Sequence, residues 1–120
     1  MSILTHRQAL AGAIRALNLP NLQVQEHALD SIATLPAVVV GMPKWTADLT
    51  ACLGTYEYPV AVIVARSGVS DQATIAGLDE LWPQVADALG TVAHVLRAEY
   101  GQMQIGSALY PAQIIFCTLT

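Results

Sequence analysis

Apolar residues recur at helical spacing near the start of the chain. Ile3, Leu10, Ile14 and Leu17 fall on one stripe of residues 3 to 17, with Arg7, Gln8 and Arg15 elsewhere on the helix. The alanines between them favour helix, and the helix ends before Pro20. Asn18-Leu19-Pro20-Asn21 has turn chemistry, and the alternation in Leu22-Gln23-Val24-Gln25 predicts a short strand. Residues 36 to 42 (PAVVVGM) are β-branched and apolar on both faces, which suits a central strand. Pro43 stops that run, and residues 43 to 50, with Lys44, Trp45, Thr46 and Asp48, read as a loop or hairpin tip.

A second long strand spans residues 51 to 65, with Tyr56, Tyr58, Val60, Val62 and Val64 on one face and Glu57, Pro59, Ala61, Ile63 and Ala65 on the other. Its first half is expected to be exposed and its second half buried. Pro59 cannot donate a ladder hydrogen bond, so an edge or a bulge is expected there. Ser70 is a candidate N-cap, with Asp71 in the first turn, for a helix carrying Ile75, Leu78, Leu81, Trp82 and Val85 on its apolar side. Pro83 predicts a kink or restart near Trp82, and Gly90 closes the helix. Two extended runs, 92 to 104 and 108 to 119, flank Gly106-Ser107 as a C-terminal hairpin.

The expected order is therefore α-β-β-β-α-β-β. It describes one α+β domain over residues 1 to 120, with an antiparallel or mixed sheet of about four to five strands and two main helices packed on it. A chain of 120 residues is long enough to bury a core without disulfides or metals.

Composition changes this picture in one respect. Only 12% of residues are charged, about half the usual ~25% share, while 54% are apolar. The 19 alanines inflate the apolar count, so the charge deficit is the firmer signal. Nine acids and five bases cover little of an exterior, and part of that exterior is expected to lie against partner chains. The five bases are scattered along a chain of net charge −4, which argues against gripping nucleic acid through its phosphates.

Candidate chemistry is sparse. Cys52 and Cys117 are far apart with no ligand spacing around them, and they read as two small buried thiols, a disulfide being the alternative. His6, His27 and His94 sit in no catalytic motif and are expected at the surface or half-buried. Asp79 and Glu80 point about 100° apart on a helix and read as a solvated face. No glycine pattern cradles a phosphate. No catalytic, cofactor-binding or metal-ligating residue is assigned, and no enzyme activity is expected. The N-terminal pattern lacks a signal peptide's apolar stretch, and the uncharged tract 100 to 120 is too broken to span a bilayer as a helix, so a cytosolic site of synthesis and no membrane association are expected. Trp45, beside Lys44 in a proline-flanked polar segment, is either an intersubunit anchor or a ring folded back on its own sheet.

Taken together, the opening amphipathic helix, DSIATLPAVVVGMP at 30 to 43, TYEYPVAVIVARS at 55 to 67, the helix after SDQ at 70 to 72, and the closing LRAEYGQMQIG and ALYPAQIIFCTLT resemble the tail-terminator family of long-tailed phages. Those motifs cover nearly the whole chain and are packing patterns, not chemical signatures. The resemblance implies a virion protein assembled in the host cytoplasm. It implies a hexameric ring that caps the tail tube, stops tube polymerisation and meets the head-side connector. Head-to-tail ring contacts bury two different patches on each subunit. Six copies at −4 each give a formal −24, which suits a channel that DNA passes without sticking. Lys44, Trp45, Asp48, Tyr56 and Glu57 are the candidate interface residues. Another neck, head-tail joining or tail-tube component has the same pattern, and a small-ligand-binding domain with its pocket beside the Trp82 helix is the alternative from a different class.

Overall fold

The computed structural model describes residues 3 to 26, 35 to 48, 53 to 65 and 71 to 119. Ser70, His27 and residues 49 to 52, Cys52 among them, lie outside the described residues, as does the side chain of Asp48. The elements are α1 (Ile3–Arg15), β1 (Gln23–Gln25), β2 (Ala37–Val40), β3 (Lys44–Asp48), β4 (Leu53–Ile63), α2 (Asp71–Leu89), β5 (His94–Ile105) and β6 (Ala108–Thr118). The fold is α+β. Six strands form one mixed sheet in the order β1-β2-β4-β6-β5, with β3 paired to β4 beside that path. Only β1 and β2 run parallel; the other pairs are antiparallel.

The extra strand is β3, which corrects the expected loop at 43 to 50. Lys44 through Asp48 pair residue for residue with Glu57 through Leu53, so this segment is the first arm of a hairpin and not its tip. Its polar residues are tolerated because β3 is an edge and stays exposed at Lys44, Trp45 and Thr46.

Both β2 and β3 lie along the same edge of β4, and the chain jogs between them. Val40 faces Val60 and Lys44 faces Glu57, so residues 41 to 43 oppose only 58 and 59: one residue too many, as in a bulge. Pro59 sits at that jog. Its carbonyl accepts from the Gly41 amide at 2.8 Å, and a strand residue's N–H and C=O point to the same edge. The donor that proline lacks therefore faces the interruption, and the ladder on the β6 side, with Pro59 opposite Phe116, is intact.

Two clusters explain why β2 reads as four apolar residues in succession. Val38, Val40, Tyr58, Val60, Val62, Ile115 and Cys117 pack under α1 and α2 on one face. Ala37, Val39, Ala61, Ile63, Tyr110 and Ala112 form a second cluster on the other. A central strand buried on both faces cannot alternate.

The expected stripes are buried at Leu10 and Ile14 of α1 and at Leu78 and Val85 of α2, but both helices also bury residues that were not expected inside. Arg7 and His6, expected away from the core, are both buried on the inner face of α1 beside Leu10, Ala11 and Ile14. Arg7 occupies the slot one turn before Leu10 and Ala11. In α2 the inward position of the first turns is Thr74, while Ile75 is 44% exposed, and Leu78, Val85 and Leu89 continue the buried line. Pro83 does not restart the helix, which is continuous from Asp71 to Leu89. Asn18 (φ 52°) and Asn21 (φ 64°) supply the left-handed residues that turn the chain from α1 into β1. Gly106 (φ 61°) does so for the two-residue turn between β5 and β6.

The jog yields a stability prediction. A Cβ on Gly41 would meet Pro59 Cγ at 2.9 Å and the Pro59 carbonyl at 3.2 Å, whereas a Cβ on Gly12 in α1 would meet nothing within 4 Å. Gly41→Ala should lose about 1 to 3 kcal/mol. Gly12→Ala should gain up to about 1 kcal/mol from helix propensity. Urea melts of the two variants check the contrast.

Candidate interface surface

The N-terminal half of α1 lies against the jog, and the contacts there are polar but buried. Arg7 Nη2 donates to the Val40 carbonyl at 2.7 Å, and Nη1 approaches Met42 Sδ at 3.3 Å. Val40 follows the last described pair of β2 with β1, its carbonyl points away from β4, and the guanidinium donates to it there. Among the described residues no carboxylate forms an ion pair with Arg7, and its Nε has no hydrogen-bond partner. Burial lowers the Arg7 pKa from its usual value.

His6, on the adjoining helical position, shares a 2.7 Å hydrogen bond between its Nδ1 and the Tyr58 hydroxyl. Its ring stands edge-on to Tyr58 and Tyr56, with centroids 5.5 and 6.5 Å away. Among the described residues His6 Nε2 is buried without a partner. Burial pushes the His6 pKa below 6.5 and the Tyr58 pKa above 10.0. A neutral imidazole wedged between two tyrosines is a packing element. Cys117, on the same face, is a free buried thiol directed at the Tyr58 carbonyl, and burial pushes its pKa up to about 12. Such a thiol is inert as a nucleophile.

The sequence-expected interface residues divide between the two faces of the sheet. Trp45 stands directly opposite Tyr56 on the helix-bearing face. Lys44 and Glu57 pair on the other face, where Arg97 bridges Glu57 and Glu99 and lies 4.1 Å above the Phe116 ring. Backbone register puts Asp48 across from Leu53. The five residues thus share one hairpin but not one surface.

Trp45 is neither wholly free nor buried. Its indole lies flat across Gly54, with ring atoms 2.0 Å from where a Cβ would stand, yet the residue stays 56% exposed. Glycine is required for that approach. Two further apolar residues that sequence reasoning did not single out are exposed: Met42 (67%), which touches Arg7, and Leu4 (52%), one turn before Arg7 on α1. The signal for them was present. An apolar residue placed between glycine and proline, and one beside the buried helical stripe, have no interior to enter.

A separate cleft of about 340 Å³ opens between α2 and the turn joining α1 to β1. Leu19, Leu22, Pro36, Val64 and Leu81 line it, and Glu80 and Gln84 form its polar rim. Trp82, on the same helix, is packed against the main core instead. Among the described residues no group of three or more His, Cys, Asp or Glu could hold a metal, and no helix is long and apolar enough to cross a membrane.

No protein-family model and no curated protein matches this chain.

The buried histidine makes stability depend on pH. Its folded pKa is depressed, so the unfolded chain binds the proton more readily; the stability that neutrality confers is complete above about 6.5 and declines as pH falls below it. The urea midpoint should fall between pH 7 and pH 5, and the fall should be smaller in His6→Gln. Equal slopes in the two proteins would remove His6 from the account.

Proposed function

We propose that the protein is a structural subunit that works by assembling with copies of itself, as a tail-terminator-like ring of a long-tailed phage. The observation that carries this reading is the coincidence of scarce charge with exposed large apolar side chains. Fourteen formal charges, nine acidic and five basic, must solvate the exterior, yet Met42, Trp45, Leu4 and Tyr100 are each more than half exposed. Large apolar side chains with so little charge around them are what partner chains cover. The buried groups nearby support the same reading: His6, Tyr58, Arg7 and Cys117 are used in packing, and none is presented to a substrate. In the proposed assembly the protein acts by shape and contact. The ring would seat on the tail tube, halt its growth and offer its other face to the head-side connector, with DNA passing through unbound.

A different neck or tail-tube component is the nearest alternative, and the two differ in how assembly stops. The ligand-binding alternative draws on the cleft beside α2, whose volume is at the low end of small-molecule sites. A metabolite bound at 100 times its dissociation constant would stabilise the protein by about 2.7 kcal/mol in a thermal-shift screen.

Native mass spectrometry with negative-stain microscopy of the purified protein tests the proposal. Closed rings or short stacks of them are expected. Long filaments would make it a tube component, and monomer alone at high concentration would overturn self-assembly.

A further inference from the structure

The sheet ends on β5, whose outer edge has no strand beside it among the described residues. The other described strands with an open side are β1, three residues long, and β3, five residues long and led by Pro43 and Lys44. Short strands, proline and lysine are the usual devices that keep a sheet edge from pairing with another chain. β5 runs for 12 residues with neither lysine nor proline. Its one such device is the bulge at Leu96, between the Val95 and Arg97 pairs, and past it the register with β6 is unbroken from Arg97 opposite Phe116 to Ile105 opposite Ala108.

Hairpin geometry says which groups face outward. Ile105 and Ala108 flank a two-residue turn and form its closing hydrogen-bonded pair, and hydrogen-bonded and non-hydrogen-bonded pairs alternate from there. The odd-numbered residues from Ile105 back to Arg97 therefore aim their N–H and C=O groups at β6, while Ala98, Gln102 and Gln104 aim theirs at the outer edge. We propose that this edge pairs antiparallel with the same edge of a second copy, about a two-fold axis through Gly101.

Three observations select a second copy and this register. The first is the stretch itself: regular pairing runs for nine residues, 97 to 105, between bulge and turn, and Gly101 is its midpoint. An axis there engages the whole stretch and sets Ala98 opposite Gln104 of the second copy, with the outward groups of each facing the other. The second is the glycine. A glycine inside a strand weakens it, and among the described residues nothing in the chain requires this one: only Gly106 has a positive φ, and a Cβ at Gly101 would meet Ile114 Cδ1 at an ordinary 3.4 Å. Close approach of another backbone is a standing reason for glycine in a strand interior. On the axis Gly101 faces its own copy as a non-hydrogen-bonded pair, the closer kind, with Cα atoms about 4.5 Å apart. The third is charge. Arg97 and Glu99 fall opposite Ile105 and Met103 of the second copy, and residues 100 to 105 carry no charge, so no like charges meet along the seam. Tyr100, 52% exposed, comes opposite Gln102 of the second copy and loses much of that exposure.

The inference rests on the self-assembly reading above and adds a contact that a ring does not contain. A two-fold pair closes on itself, so it joins copies in twos; in a ring-forming protein it joins two rings face to face.

Cysteine cross-linking of the full-length protein reads the register. Gly101→Cys sets two thiols against each other across the axis, within the Cα separation that a disulfide spans. Gln104→Cys stands opposite Ala98 instead, six residues and about 20 Å from its counterpart. Under mild oxidation Gly101→Cys should give a covalent dimer at least ten times faster than Gln104→Cys or wild type, which carries Cys52 and Cys117. As a second measurement, Gln102→Pro removes an outward donor and leaves the β6 ladder intact. Sedimentation velocity should show pairing weakened tenfold or more, with circular dichroism showing a folded chain; if that variant does not fold, the cross-link decides alone.

If wild-type protein assembles but Gly101→Cys cross-links no faster than Gln104→Cys, the β5 edge is not a contact between copies, and this inference falls while self-assembly stands. A folded Gln102→Pro that associates as tightly as wild type would likewise overturn it. Wild-type protein that is monomeric at every concentration would remove the underlying reading as well.

Discussion

A proline in the middle of a sheet forces a choice, because one edge of its strand must do without a donor. Here the choice is made at Pro59, and the architecture around it follows. The edge that lacks the donor is the one where β2 gives way to β3, with residues 41 to 43 bulging past 58 and 59. Gly41 is drawn close enough to Pro59 that a side chain would collide with it. The Val40 carbonyl points away from β4, and Arg7 from α1 supplies a donor to it. A buried cation is costly unless it is hydrogen-bonded, so this interaction ties α1 to the jog more specifically than apolar packing could. The consequence is geometric: past the jog, β3 and the start of β4 continue as an exposed hairpin beyond the doubly buried part of the sheet.

How legible this was in sequence varies with the kind of signal. Long periodic segments were readable because periodicity is a local property: both helices, the buried β2 run and the closing hairpin around Gly106 are where the pattern puts them. Pro59 was readable for the same reason, since a missing donor is intrinsic to the residue. The failures arise where a partner decides. Residues 44 to 48 carry no β-rich pattern, and only the facing strand at 53 to 57 makes them β3. Arg7 and His6 look like solvent-facing helix residues until Val40 and Tyr58 are brought beside them. Ile75 is exposed and Thr74 buried because α2 is oriented by Leu78, Val85 and Leu89 against the cluster beneath it.

The candidate surface was half legible. Trp45 stood out because an indole in a polar segment has no local burial. Its resting place on Gly54 was not readable, since that contact crosses two strands diagonally. Grouping Lys44 and Glu57 with Trp45 and Tyr56 treated a strand as though it had one face. Alternation separates the pairs, and the charged pair belongs to the Arg97 network on the far side.

The scarcity of charge acquires a more specific meaning from these positions. A chain with few ionic groups can remain dispersed if its apolar excess is interior, and both buried clusters absorb much of it. What they leave over is exposed, among the described residues, at Leu4, Met42, Trp45, Ile75, Val92, Leu96, Tyr100 and Leu109, from α1 to β6. The shortage of charge around these side chains, more than their number, is therefore what argues for partner chains.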